Sequence, residues 1–208
     1  MPPDLKSLIA PAHTALVTSE CQNGVLGPEA IFPALAQAAR PEVVGNIALL
    51  VRLARMVDVQ VVHCLALRRE DGRGANGNAR LFQAAAKAPV ALTPGSAAAE
   101  LLDDIPVGFE DVVLTRLHGL SPMAGTDLDP VLRNLGVTTL VVVGASVNVA
   151  ITNLVMDAVN AGYQVVLPRD AVVGTPAEYA AAVIDNTLAL LAMVTTAEEV
   201  AAAWTDGF

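Results

Sequence analysis

Aromatic side chains are scarce in this chain, at 3% of residues, so any interior has to be assembled from Ala, Val and Leu. Cysteine is nearly absent as well. Cys21 and Cys64 are the two present, and they supply neither a disulfide framework nor a thiolate set for a metal. Histidine occurs at His13, His63 and His118, without the i,i+4 pairing of a zinc motif. No metal and no cofactor is expected. Positive charge is the minority sign: 12 Lys and Arg stand against 21 Asp and Glu, a formal charge of −9. That balance argues against nucleic acid as a partner, because phosphates need a basic face. Apolar runs of membrane-spanning length are also missing, since Arg, Asp or Asn interrupts each one. The opening MPPDLKSLIAPAH lacks the basic n-region and long apolar h-region of a signal peptide. A cytoplasmic protein with no membrane partner is the expectation.

What is present is 208 residues, 54% of them hydrophobic, enough for one domain with a full core spanning 1–208. TALVTS (14–19), VQVVHCLAL (59–67), DVVLTR (111–116), TTLVVVG (138–144) and YQVVLP (163–168) are rich in β-branched residues and apolar almost throughout. Such runs indicate strands buried on both faces of a parallel sheet. Helical segments lie between them. PEVVGNIALLVRLARM has Pro41 at its first position, GTDLDPVLRNLG has Thr126 as N-cap and Gly136 as stop, and TPAEYAAAVIDNTLALLA has Thr175 as cap. A sixth strand near Val194 and a helix over Ala197–Trp204 complete the pattern. The fold class predicted is α/β, a three-layer α/β/α doubly wound, mostly parallel sheet of about six strands. RREDGRGANGNARLF (68–82) is expected to be a loop, and its two readings are a border to a pocket at the carboxyl ends of the strands and a mobile surface excursion.

Several chemistries are excluded by pattern. GASVNVA lacks the later glycines of a dinucleotide fingerprint, no GxxxxGK[ST] occurs, and Ser146 is not in a GxSxG elbow. His63, alone in an apolar strand, fits a satisfied core residue. Cys21 adjoins Glu20, but neighbours in an extended chain point to opposite faces, and Cys64 fits the core. What remains is a set of strand-end groups: Glu20 after the first strand, Arg116 closing the third, and the 144–150 turn after the fourth. For Glu20 and Arg116 a structural ion pair is as good a reading as a catalytic one.

The segments ECQN, then Arg116 before LHGLSPMAGTDLD, then GASVNVAI and DAVNAGYQVVLPRDAV resemble the isochorismatase-like (cysteine hydrolase) superfamily over nearly the whole chain. The resemblance implies the Rossmann-type strand order 3-2-1-4-5-6 and a small-molecule hydrolase. It also implies that Glu20 stands at the position of an acid/base Asp, Arg116 at that of a Lys, Ala150 at that of the nucleophilic Cys and Val147 at that of a Thr beside a cis peptide. Gln22, His118, Ser146, Val147 and Asn148 are expected at the substrate. Ala150 has no atom that can form a thioester, which removes covalent amidase chemistry. Vinyl-ether hydrolysis, as the family performs it, needs a carboxylic acid and water but no nucleophile, with Arg116 available to hold a substrate carboxylate. The alternative is a non-catalytic member that binds a small anion. Family members commonly assemble, so a homodimer or larger homo-oligomer is expected, with AEYAAAVIDNTLALLAMV as a segment able to pack against a second copy.

Overall fold

The computed structural model describes residues 4–39 and 41–206. Along the chain run α1 (Leu5–Leu8), β1 (Thr14–Ser19), α2 (Asn23–Leu26), α3 (Pro33–Ala39), α4 (Glu42–Met56), β2 (Gln60–Ala66), α5 (Arg80–Lys87) and β3 (Val112–Arg116). They are followed by α6 (Leu128–Asn134), β4 (Thr139–Ala145), a π-helical turn (Val147–Ile151), α7 (Thr152–Asn160), β5 (Gln164–Pro168), β6 (Val172–Val173), α8 (Ala177–Asn186), β7 (Met193–Thr195) and α9 (Ala197–Thr205).

The strands form one sheet in the order β3-β2-β1-β4-β5-β7, with the short β6 beside the end of β4, and every pairing is parallel. This is the expected order, the sixth predicted strand being β7. β6 is an addition, since two residues carry no readable period. Because β1 and β4 are side by side while their chains leave toward opposite halves of the sheet, a crevice opens past their carboxyl ends.

Parallel strands covered on both sides must be apolar on both sides, and β1, β4 and most of β5 are buried throughout. On one face Leu16, Val61, Val141 and Val166 pack with Ile47, Leu50, Val51, Val200 and Trp204 from α4 and α9. On the other, Val17, Val62, Val142 and Leu167 pack with Leu128, Leu132, Leu154 and Ile184 from α6, α7 and α8. With so few large rings, small side chains such as Ala54 and Ala158 let helices lie close to the sheet.

The structure corrects several local expectations. β3 is an edge strand, half-exposed to exposed at Val112, Val113, Leu114 and Thr115 and buried only at Arg116, so it is not covered on both faces. The predicted loop 68–82 becomes helical from Arg80, where RLFQAAAK presents an apolar stripe. Pro41 and Pro176 are N-caps rather than first helical residues, and Thr175 lies outside its helix. Asp127 holds the N-cap position of α6, but the Thr126 hydroxyl accepts from the Leu128 N–H at 3.2 Å and does the capping from one residue earlier. α9 carries a full capping box between Thr196 and Glu199.

Candidate active site

The site begins where β1 and β4 end side by side. Gly144 has φ +109, and a Cβ there would lie 2.2 Å from the Ser19 carbonyl oxygen, so only glycine allows this approach. Ser19 donates its hydroxyl to the Ala145 carbonyl at 2.8 Å, tying the turn after β4 to β1. The chain then turns sharply. Glu20 adopts a left-handed φ of +54, uncommon for a non-glycine residue, while its N–H donates to the Cys64 carbonyl at 2.9 Å. This conformation ends β1 and directs the carboxylate into the crevice.

Arg116, the last residue of β3, meets it from two strands away. Its Nη2 donates to Glu20 Oε1, and the two side chains are 6% and 18% exposed for Arg116 and Glu20 respectively. Nη2 also reaches the Leu120 carbonyl at 3.4 Å, and Nη1 is buried with no acceptor. Among the described residues no donor reaches Glu20 Oε2, which leaves that oxygen to a substrate or water. The Ala145–Ser146 peptide is cis, and the π-helical turn that follows brings Ala150 to the cavity wall.

Glu20, Arg116, Ser146 and Ala150 thus line one cavity of about 170 Å³. The other wall residues are glycine or apolar, including Ile31, Phe32, Leu35, Leu81, Phe82, Leu92, Leu120 and Val149. Leu81 and Phe82 close the 68–82 run expected beside the pocket and Val149 belongs to the 144–150 turn; the sequence reading did not name the others. One signal was available: of the four phenylalanines in the chain, two line this cavity, both outside the predicted strands and helices. Leu81, Phe82 and Ala85 come from α5, a helix with no fully buried residue that leans its apolar stripe over the opening.

The remaining expected contacts are placed elsewhere. Gln22 is fully buried. Its amide donates to the Ala66 and Ala99 carbonyls at 2.9 and 3.0 Å and accepts from the Ala66 N–H at 2.9 Å, so it braces the chain after β1 and is not on the cavity wall. Val147 is buried in the core behind the turn. Asn148 grips Thr175, donating to its carbonyl at 2.8 Å and accepting from its N–H at 3.1 Å; a Cβ on Gly174 would collide with that amide at 2.2 Å. Asn148 and Ser146 both border a shallower depression beside Phe32. His118 is exposed and lines an adjoining cavity of about 150 Å³ with Arg68, Asn76 and Arg116.

Neither cysteine is a usable nucleophile. Burial pushes both thiols up to about 12, helped at Cys21 by the Glu20 charge. His63 is satisfied in the interior: its Nδ1 pairs with the Thr18 hydroxyl at 2.8 Å and its Nε2 with Asp111 at 3.1 Å. Burial lowers its pKa below the ordinary 6.5, although Asp111 pulls the other way. Among the described residues no group of three or more His, Cys, Asp or Glu side chains is placed to hold a metal ion.

The doubly wound parallel sheet, with a carboxylate, a guanidinium and a cis-peptide turn at its switch point, places the chain in the three-layer α/β class. Residues 14–199 match the isochorismatase domain family, and the chain belongs to that family. Among solved structures it is similar to a cysteine hydrolase from Pseudomonas syringae pv. phaseolicola 1448A (24% identity, TM-score 0.85, 97% of this chain and 96% of that one). It is also similar to an isochorismatase family protein from Desulfovibrio vulgaris subsp. vulgaris str. Hildenborough (26% identity, TM-score 0.80, 90% and 95%). N-carbamoylsarcosine amidase from Thermoplasma acidophilum shares the fold at 21% identity and TM-score 0.71, over 89% and 97%. No curated protein matches the chain.

Proposed function

We propose that the protein hydrolyses a small molecule without a covalent enzyme intermediate, with Glu20 as its acid/base. The observation that carries this is the make-up of the cavity wall. Glu20 is the one carboxylic side chain among the described wall residues, and it shares the cavity with Ala150. Arg116 offers a guanidinium, which orients and balances charge rather than moving a proton. Vinyl-ether hydrolysis fits these parts. Glu20, protonated on Oε2, gives its proton to the alkene carbon; water adds to the resulting oxocarbenium carbon and returns a proton to Glu20; the hemiketal then breaks to a carbonyl compound and an alcohol. Amide hydrolysis is supported least, because Ala150 offers no nucleophile and both thiols are buried.

A second reading, binding without turnover, is favoured by the engagement of Glu20 Oε1 with Arg116. A panel of vinyl ethers, esters and amides, with intact-mass spectrometry during turnover, separates the readings. Turnover with the protein mass unchanged is expected. A substrate-derived adduct on the protein contradicts a non-covalent mechanism, and saturable binding with no turnover of any compound supports the second reading.

The proposal includes assembly as a homodimer or larger, since Tyr179 and Leu190 on the Ala-rich segment are exposed while Ala180, Ile184 and Leu188 fill the core. A monomer mass by light scattering at micromolar protein contradicts it. Among the described residues no helix is long and apolar enough to cross a membrane, and a cytoplasmic setting is part of the same proposal.

A further inference from the structure

We propose that Asn76 modifies itself: the backbone nitrogen of Gly77 closes on its side-chain amide, ammonia leaves, and position 76 becomes aspartate or isoaspartate. This is independent of the reaction that the cavity beside Glu20 performs. Ring closure needs an Asn or, more slowly, an Asp, then a residue with no Cβ in the way and a backbone N–H that no acceptor holds. Among the described residues three Asn–Gly or Asp–Gly pairs occur, and the fold separates them. At Asn23–Gly24 the glycine is buried and its N–H donates to the Ala98 carbonyl at 2.8 Å. Asn23 Nδ2 is held as well, by the Ala97 and Leu101 carbonyls at 3.1 and 3.3 Å. At Asp71–Gly72 the Gly72 N–H donates to the Arg69 carbonyl at 3.0 Å. Arg69 also grips the Asp71 carboxyl and holds it below its usual range, ionised and without a leaving group. At Asn76–Gly77 both residues are exposed, and no described acceptor takes the Gly77 N–H. A Cβ at Gly77 would meet no atom within 4 Å, so nothing crowds its nitrogen.

The surroundings also assist the reaction. The Gly119 N–H donates to Asn76 Oδ1 at 2.8 Å, on the oxygen where negative charge develops as Gly77 attacks Cγ. The Gly77 N–Cγ bond forms, the Cγ–Nδ2 bond breaks, and the proton of Gly77 leaves with the ammonia. Water then opens the imide. Breaking N–Cγ restores the main chain and leaves aspartate; breaking the bond to the Asn76 main-chain carbonyl routes the chain through the side chain and leaves isoaspartate. No oxidant or reductant takes part. The consequence is local. The bond from Asn76 Nδ2 to Asn78 at 3.3 Å is lost, and a carboxylate replaces a neutral amide in the cavity that Asn76 lines with Arg68, Arg116 and His118.

Incubation of the native protein at mildly alkaline pH, followed by tryptic peptide mapping against an unincubated sample, reads the inference directly. Cleavage after Arg73 and Arg80 releases GANGNAR (74–80), which holds Asn76 before a glycine and Asn78 before an alanine. Asn76 is expected to convert while Asn78 stays an amide, and isoaspartyl methyltransferase should label the product. Asn23 should react at least about a hundredfold more slowly, since it must wait for α2 to open. Urea removes that protection, so in the unfolded chain Asn23 should convert alongside Asn76. Gly77→Ala should abolish the conversion and leave the circular dichroism unchanged, because its φ lies outside the left-handed region and the added Cβ has free space. Native Asn76 that stays intact while the urea-unfolded chain converts overturns the inference. So does native Asn23 reacting as fast as Asn76, or Gly77→Ala converting at the wild-type rate.

Discussion

Asp111 stands just before β3 and accepts from four donors: Arg55 Nε at 3.2 Å, Arg55 Nη2 at 2.5 Å, the Gly108 N–H at 2.6 Å and His63 Nε2 at 3.1 Å. With Thr18 on the far side of His63, this makes a polar chain from β1 through β2 to the start of β3, clamped to α4 by Arg55. It fixes the spacing of the strands whose far ends present Glu20 and Arg116. Asp111→Ala would leave the His63 ring N–H buried without an acceptor and strip Arg55 of its counter-charge. Breaking a buried pair from one side costs ~3–5 kcal/mol. Arg55 is 29% exposed and recovers part of its hydration, so the expected loss is about 3 kcal/mol. For a chain of this size, that lowers the melting temperature by about 6–12 °C. Thermal unfolding followed by circular dichroism measures it, and Asp111→Asn, which keeps one acceptor oxygen, should fall between the two. A drop of less than about 2 °C for Asp111→Ala would refute the clamp.

The same cluster makes the fold sensitive to acid. The unfolded His63 ring protonates near 6.5 and the folded one only at lower pH, so unfolding takes up a proton below about 6.5 and stability falls with pH. The limiting slope is about 1.4 kcal/mol per pH unit. Burial alone would raise the Asp111 pKa, but the bonds from Arg55, Gly108 and His63 outweigh it and hold the carboxyl below 3.8. A second loss therefore follows at lower pH, as the folded carboxyl takes up its proton. Urea midpoints at pH 7, 6 and 5 should show the first loss in the wild type but not in His63→Gln; equal slopes in both contradict it. Cys21 and Cys64 should resist Ellman's reagent in the native protein and react only on denaturation, and rapid native labelling of either would show that the burial is wrong. Gly144→Ala must move the Ser19 carbonyl and should cost more than the ~1 kcal/mol of an ordinary strand substitution, read as lost soluble yield or a lowered melting temperature. A variant as stable as the wild type counts against the close approach of β1 and β4.

The parallel sheet was legible because it forces β-branched, apolar runs, and five of these stand out between helices; the strand order came from the family resemblance alone. β3 was misjudged for an instructive reason: VVLTR is as apolar as its neighbours, yet its position at the edge, which no local pattern records, leaves Val113 exposed. At the site, strand-end logic brought Glu20, Arg116, Ser146 and Ala150 to one cavity. Gln22 and Asn148 show where that logic stops. Both are polar residues beside the site, but their amides hold backbone that arrives from positions 66, 99 and 175, and pairing over such separations leaves no trace in a local motif. The apolar cover from α5 was hidden in the same way, behind a glycine- and asparagine-rich run that resembles a loop for most of its length.

The central claim is that proton transfer at this site runs through Glu20 over a position that carries no nucleophile. The most direct measurement is kcat/KM for the wild type and Glu20→Gln, side by side, on the best-turned-over compound of the panel, with circular dichroism confirming that both are folded. Loss of about 10²–10⁴-fold in the variant is the expected result. Wild-type kcat/KM retained by Glu20→Gln would contradict the claim.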